Sequence, residues 1–506
     1  MSTNTTQPEK PSRSDAARAA ARDLVRRLRA LIYVLRRAQR MARSSARGAE
    51  MVWSEFLDWF HARKFNENTI LVWFAALIGV VGGLSVVVFY RLIDLSYWVF
   101  FQFPSRFLGG AVTHVHRPVL TALGLGAAWW IMRRLGRGHD GMNVADVQAT
   151  VAKRGGNIPP RPALARTAAS AVTLGAGGSA GSEGPVAVLG SAVGAFLARA
   201  FRMSHSRVRV LVGAGAAAAI SAAFNAPLAG AFFALEEILG SFAVAAFPPV
   251  VVAAVIGSVV ARLFLGTQGA FDLAGDYEAP LATEVLLLCP LLGLATALVS
   301  VAFIRGHFRI GDKFATMNLP PLAKAAIGGS LVGVAVFASG GALVGQGHLA
   351  IPLVLLEGLP WFTLALLVFG KMVTTSITLG AGGSGGLFTP SLYIGAATGA
   401  AFAALVQAIL PGFDIANSTY MLVAMGAVVA VTQGAPITGL LIVYELTNSH
   451  EIVLPLMMTI AISWVIARRF EHDNLNSGWL RRRGVSISHV HDTPAPAPAV
   501  ATSRQG

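Results

Sequence analysis

Charged side chains are scarce in this chain: Asp, Glu, Lys and Arg together make up 13% of its 506 residues, while 54% are hydrophobic. Too few polar residues remain to cover a soluble globule of that size, which excludes a soluble enzyme and indicates a polytopic membrane protein. Cysteine is nearly absent, and Cys289 alone rules out an intramolecular disulfide and any cysteine-based metal site. A leader is absent too: the first thirty residues are hydrophilic, so no cleavable signal peptide is expected. Acids are outnumbered, 25 against 40 basic residues, and the +15 net charge is concentrated, since residues 1–50 carry twelve Lys and Arg against four acids. In a membrane protein such an excess marks cytoplasmic segments and anionic lipid, not nucleic acid.

Against this background one stretch stands out, Leu174 to Gly194. A glycine-rich loop through Gly181, Ser182, Glu183, Gly184 and Pro185 opens an apolar, small-residue helix, whose free backbone N–H groups and positive dipole end form a potential anion site. Glu183 places a carboxylate where an anion would bind, and an ionisable residue at membrane depth is a functional-site hypothesis by default. Two other readings compete. Glycine runs in membrane helices also serve close helix packing. A nucleotide phosphate loop is disfavoured, because no Gly-Lys-Ser/Thr ending and no flanking strand pattern follow.

In chain order, a basic amphipathic helix is expected over 15–45, with Trp53, Phe56, Trp59 and Phe60 as an interfacial lead-in. Candidate spans follow at Thr69–Tyr90, Val119–Met132, Val244–Leu265, Val285–Ile304, Ala323–Phe337, Trp361–Phe369, Met421–Val431 and Ile452–Ala467. Several are short or broken by Gly and Pro, and broken helices are tolerated at membrane depth only where they are buried in protein or line a path. Basic loops after the second span and after the central helix, with the acidic loop 272–284 opposite, place both termini in the cytoplasm. The division expected is a basic N-terminal segment (1–50), a first transmembrane repeat (51–240), a second (241–470), and a cytoplasmic helix with a Pro/Ala-rich tail (471–506).

An internal repeat supports that division. Arg166–Gly194 matches Lys371–Gly399 without a gap, at an offset of 205 residues; Ala226–Gly230 with Glu236 matches Ala435–Gly439 with Glu445 at an offset of 209. With the loops oriented as above, the halves form an inverted repeat with an ion site at their interface. Two glycine-opened helix N-termini then converge on one point. Glu183 aligns with Phe388, so only one half brings a carboxylate.

At these residues the chain resembles the CLC family of chloride channels and proton-coupled chloride antiporters, from roughly Thr69 to Gly484. Gly181-Ser182-Glu183-Gly184-Pro185 is similar to the family's G-x-E-G-P, and Gly386-Leu387-Phe388-Thr389-Pro390 to its G-x-F-x-P. Phe224 to Gly230, with Glu236 and Glu237, is similar to its dimer-interface helix. The resemblance implies an all-α fold of inverted repeats built from tilted and broken helices, in a homodimer with one pore per subunit. It implies no cofactor, no metal and no enzymatic activity, only chloride or a similar anion and protons as transported species. Glu183 is then the external gate, whose carboxylate competes with the anion and swings out when protonated. Backbone N–H groups of Ser182, Glu183 and Gly184, and of Leu387, Phe388 and Thr389, hold the dehydrated anion. Glu237 resembles the inner proton-passing glutamate, with an ion pair to cytoplasmic arginine as its structural alternative. Glu236, echoed by Glu445, reads as a structural acid, and Arg166 as a buried cation that raises the potential around the anion.

Two positions depart from the family pattern. Gly141-Met142-Asn143-Val144-Ala145-Asp146 stands for the inner anion loop, so Met142 replaces a serine hydroxyl, and Asn476 stands for the inner tyrosine. A thioether cannot donate a hydrogen bond, whereas an asparagine amide can. A passive anion channel on the same scaffold, favoured by these losses, and a fluoride/proton antiporter therefore stay open. An intramembrane hydrolase using Ser384 would need a general base in reach, and Ser179 repeats that serine in the other half, which favours a structural role. Losing a donor to a desolvated charge costs about 1.5–3 kcal/mol, roughly one to two decades of affinity. Calorimetric titration with chloride is therefore expected to give weak binding at the central site; sub-millimolar binding would contradict this reading.

Overall fold

The computed structural model describes residues 67–108, 116–136, 142–266, 283–347, 359–411 and 417–486. The basic N-terminal segment, the aromatic lead-in, nearly all of the acidic loop, Gly141 and the Pro/Ala-rich tail lie outside the described residues. The described chain is helical: α1 (Glu67–Tyr97), α2 (Phe103–Leu108), α3 (Arg117–Leu135), α4 (Val144–Arg154), α5 (Pro160–Gly175), α6 (Glu183–Ala200), α7 (His205–Phe224) and α8 (Pro227–Phe233). Then come α9 (Phe247–Leu265), α10 (Thr283–Thr316), α11 (Pro321–Ala338), α12 (Trp361–Gly380), α13 (Phe388–Ile409), α14 (Asn417–Val429), α15 (Pro436–Thr447), α16 (Val453–Phe470) and α17 (Leu475–Arg482).

Among the described residues, eight helices are long and apolar enough to cross a membrane, and Ser418–Gly434 and Pro436–Thr447 are shorter apolar pieces. Val119–Met132 does lie within a helix, α3, but that helix falls outside the eight. The short pieces follow from the sequence. Proline sits in the first turn of α5, α8, α11 and α15, where its missing N–H costs nothing. Left-handed Asn225 and Asn448 stop α7 and α15.

The repeat is visible as paired contacts. Gly181 and Gly386, 205 positions apart, form an antiparallel bridge through Gly181 N–H to Gly386 O (2.8 Å) and Gly386 N–H to Gly181 O (2.7 Å). Ser179 N–H donates to Thr378 Oγ1 (3.1 Å) while Ser384 N–H donates to Thr173 Oγ1 (3.0 Å), the same bond with the halves exchanged. Likewise the Ser384 hydroxyl meets Ser170 (2.8 Å) and that of Ser179 meets Thr375 (3.0 Å). Both serines stitch the repeats together, which favours the structural role for Ser384.

Helix ends are shared in the same way. Glu236 accepts from Ile437 N–H (3.1 Å), Thr438 N–H (2.9 Å) and the Thr438 hydroxyl (2.7 Å), capping α15. Glu445 on α15 returns the favour, accepting from Leu228 N–H (2.9 Å) and Ala229 N–H (2.7 Å) at the start of α8. Neither helix supplies a cap of its own, so each carboxylate satisfies donors that would otherwise be orphaned in an apolar medium.

Glycines set the spacing between helices. A Cβ at Gly190 would overlap the Gly215 carbonyl oxygen where α6 crosses α7, and one at Gly395 would press on the Ala424 carbonyl oxygen at the equivalent crossing of α13 and α14. Backbone cannot yield as a side chain can. Gly190→Val and Gly395→Val are each expected to destabilise by about 1–3 kcal/mol or more, read as a lowered melting temperature in detergent. Gly306→Ala, in open space on α10, is expected to leave it unchanged or slightly raised.

Candidate anion and proton site

The bridge between Gly181 and Gly386 brings the first turns of α6 and α13 face to face, and the site is built on those ends. Glu183 opens α6 and is buried at 2% exposure. Its Oε2 accepts from Thr389 N–H at 3.3 Å, in the first turn of α13. A carboxylate from one repeat thus occupies the N–H end of a helix of the other, where dipole and unpaired donors favour negative charge.

The other carboxylate oxygen faces Ser182. The single hydroxyl proton of Ser182 lies between Glu183 Oε1 (3.3 Å) and Gln346 Oε1 (3.1 Å), and Tyr90 OH approaches the same hydroxyl at 3.4 Å. Gly386 carries no side chain beside Glu183, and a Cβ there would meet Oε2 at 3.2 Å and the Gly184 N–H at closer range.

Below Glu183 opens a cavity of about 660 Å³. Its walls include Gly184, Leu387 and Phe388, Asn143, Arg166 and Asn476, and also Lys324, Arg482 and Arg483. Phe388 is fixed between Phe224 (5.5 Å between centroids) and Phe233 (6.2 Å). Arg166 donates Nη2 to Gly385 O at 2.8 Å, and its buried Nε has no acceptor among the described residues. The cavity therefore combines helix N-termini with several cationic side chains, an arrangement whose potential favours anions.

Glu237 stands apart from this cavity. It lies in the π-helical turn Ala234–Leu239 that continues α8, and it is buried. Its Oε2 accepts from Gln148 Nε2 on α4 and from Asn476 Nδ2 (3.0 Å) on α17. It borders a second cavity, of about 410 Å³, lined by Arg468, His472, Asp473 and Arg481. Neighbouring Glu236 also borders that second cavity, but both its oxygens are committed to α15.

The structure thus brings Glu183, Gly184, Leu387, Phe388, Thr389, Asn143, Arg166 and Asn476 together at or beside one cavity, with Ser182 against the Glu183 carboxylate. Met142 is buried and does not line it. Asn143 does, but its side-chain oxygen caps α4 through Asp146 N–H (2.8 Å) and its own N–H goes to Asp146 Oδ2 (2.9 Å), which leaves Nδ2 uncommitted. Asn476 has spent one amide hydrogen on Glu237, so it links the anion cavity to the inner carboxylate instead of serving the anion alone.

Sequence reasoning missed four residues. Gln148, Gln346 and Tyr90 carry no motif, and only their contacts single them out. Lys371 had a signal: it is the repeat mate of Arg166, and it is fully buried, with Nζ on Gly345 O (2.8 Å) and Leu343 O (3.4 Å). Each repeat therefore uses one cation to hold main-chain carbonyl oxygen, fully buried Lys371 in the second and part-buried Arg166 in the first, Arg166 doing so across the interface.

A family profile described as voltage gated chloride channel matches residues 123–468. Among curated relatives, a putative chloride channel protein ClcB-like of Ralstonia nicotianae is 34% identical over 332 residues, covering 64% of this chain and 75% of the relative. The H(+)/Cl(-) exchange transporter ClcA of Yersinia pseudotuberculosis is 29% identical over 452 residues, covering 86% and 92%. Among solved structures, a slow cyanobacterial Cl-/H+ antiporter superposes with a TM-score of 0.72 at 24% identity, over 83% of this chain and 99% of its own. A CLC-type fluoride/proton antiporter gives 0.68 at 20% identity, over 82% and 98%, and likewise shows the shared fold.

Because Gln148 and Asn476 donate to one oxygen of Glu237, their removal is not additive. Gln148→Leu and Asn476→Leu are expected to show a coupling of about 0.5–3 kcal/mol in a double-mutant cycle of thermal unfolding. Additive losses would mean that the two amides do not share the carboxylate.

Proposed function

The chain belongs to the voltage gated chloride channel family, and on that premise we propose that it is an integral membrane transporter exchanging chloride for protons, with Glu183 as the group both ions use. The observation that carries the proposal is the hydrogen bond from Thr389 N–H to the Glu183 carboxylate. In this arrangement the gate carboxylate fills an anion position at the start of α13 and borders the cavity.

The chemistry follows from charge. Protonation of Glu183 removes its attraction for the N–H ends of α6 and α13, so the side chain leaves and chloride takes its place. Chloride arriving from the cavity competes for the same donors. One proton therefore exchanges against anion occupancy at one point, and neither flux proceeds fully without the other. Arg166, Lys324, Arg482 and Arg483 in the cavity walls support entry of the anion. Glu237 supports a separate proton route, because it borders the second cavity and not the first. Asn476 touches both routes.

Further assignments rest on the same reading. Arginine-rich ends of α3, α6 and α16, with the basic segment 1–50, support termini in the cytoplasm of a bacterial inner membrane. Exposed Leu228, Phe247, Ile437, Leu454 and Met457 on α8, α9, α15 and α16 support a homodimer with one pore per subunit. A weakly coupled channel is the second reading, and Met142 favours it: neither a hydroxyl nor this side chain faces the anion from the inner loop.

Proton movement into reconstituted liposomes under an imposed chloride gradient tests the proposal. Wild type is expected to drive protons uphill. Glu183→Gln, which fixes the gate in its uncharged form, is expected to abolish proton movement while leaving chloride flux that no longer rises as pH falls. Chloride flux without uphill protons in wild type would establish the channel reading and return Glu237 to a structural role.

A further inference from the structure

A groove on the outside of the helix bundle shares no lining residue with either cavity described above. It encloses about 640 Å³ between α1, α3 and α5, with Leu189 of α6 at its floor. Its flanks are apolar and open: Val88 is 58% exposed, Leu164 58% and Leu135 56%. The two hydroxyls that reach it are already spent, Ser85 on Gly82 O (2.7 Å) and Thr167 on Ala163 O (2.9 Å). At one end stand two guanidinium groups, Arg134 at the C-terminus of α3 and Arg161 at the start of α5. Both are exposed, and among the described residues neither has a carboxylate partner; Arg134 only overlies Trp130 at 6.0 Å. None of α1, α3 and α5 is among the helices carrying the apolar face assigned above to the second subunit.

We propose that this groove is a binding site for one anionic glycerophospholipid. Its phosphate lies between Arg134 and Arg161, and an acyl chain runs along Leu135, Leu164 and Val88. Charge complementarity selects this occupant. A zwitterionic lipid offers the pair no net charge, and a soluble anion leaves the apolar flanks against water. Two cations without a carboxylate partner among the described residues, each worth roughly a fivefold preference for negative charge beside lipid headgroups, give about a thirtyfold preference for anionic over zwitterionic lipid. The site is independent of whether the protein exchanges protons or merely conducts chloride, since it touches neither cavity.

The test is native mass spectrometry of the full chain in detergent, titrated with dioleoylphosphatidylglycerol or dioleoylphosphatidylcholine. Wild type is expected to hold one phosphatidylglycerol about thirtyfold more tightly than phosphatidylcholine. Arg134→Gln/Arg161→Gln is expected to lose that preference, whereas Arg133→Gln/Arg154→Gln, which removes the same charge from nearby exposed positions, is expected to keep it. Val88→Trp is expected to weaken binding with both arginines intact, because it fills the acyl path from an exposed position. Equal affinity for the two lipids, or a preference that survives Arg134→Gln/Arg161→Gln, overturns the proposal. So does inorganic phosphate that competes away the lipid as fully as phosphatidylglycerol does, since the flanks would then contribute nothing.

Discussion

Two main-chain hydrogen bonds between Gly181 and Gly386 fix where everything else in this protein goes. They pin the first turns of α6 and α13 against each other, so that two sets of unpaired N–H groups face a common space inside an apolar body. Such donors cannot remain unsatisfied there. An anion has to supply what water would supply elsewhere, and the chain provides its own, the carboxylate of Glu183 on Thr389 N–H. The placement of Glu183 is in this sense a consequence of the fold: meeting helix ends favour negative charge, and under the proposed function a side chain that can lose its charge can be displaced.

The pseudo-symmetry explains both what is duplicated and what is not. Structural duties come in pairs at the repeat offset: Thr173 with Thr378, Ser179 with Ser384, Glu236 with Glu445, Gly190 with Gly395. Function lies where the pairing fails. Glu183 aligns with Phe388, so one half brings a titratable side chain and the other an apolar wall. Arg166 and Lys371 are an intermediate case, both cations holding carbonyls, but only Arg166 borders the anion cavity.

This asymmetry also decides how much could be read from sequence. The repeat, the position of Glu183 and the structural character of Glu236 and Glu445 were legible, because each rests on residues aligned at a fixed offset. The glycines proved to be spacers as well as loop formers, and both readings of them hold at different positions. The inner end of the site was not legible. Whether Met142 faces the anion depends on how the turn into α4 is closed, and Asn143 closes it with a capping box that has no bearing on family motifs. The pairing of Gln148 and Asn476 on Glu237 joins segments 89 and 239 positions away from it, a distance across which local patterns carry no information.

Adjacent Glu236 and Glu237 show how such contacts divide labour between two identical side chains. Glu236 binds three donors of one helix end, two of them backbone N–H groups that have no alternative partner, so moving it would orphan them. Glu237 binds only side-chain amides, from Gln148 and Asn476, which belong to different helices and can rotate. An amide can turn its oxygen towards a protonated carboxyl as readily as its nitrogen towards an ionised one. A backbone N–H cannot. The carboxylate held by flexible, reversible partners is therefore the one able to change protonation state in place; both glutamates border the second cavity, but only Glu237 shares Asn476 with the first.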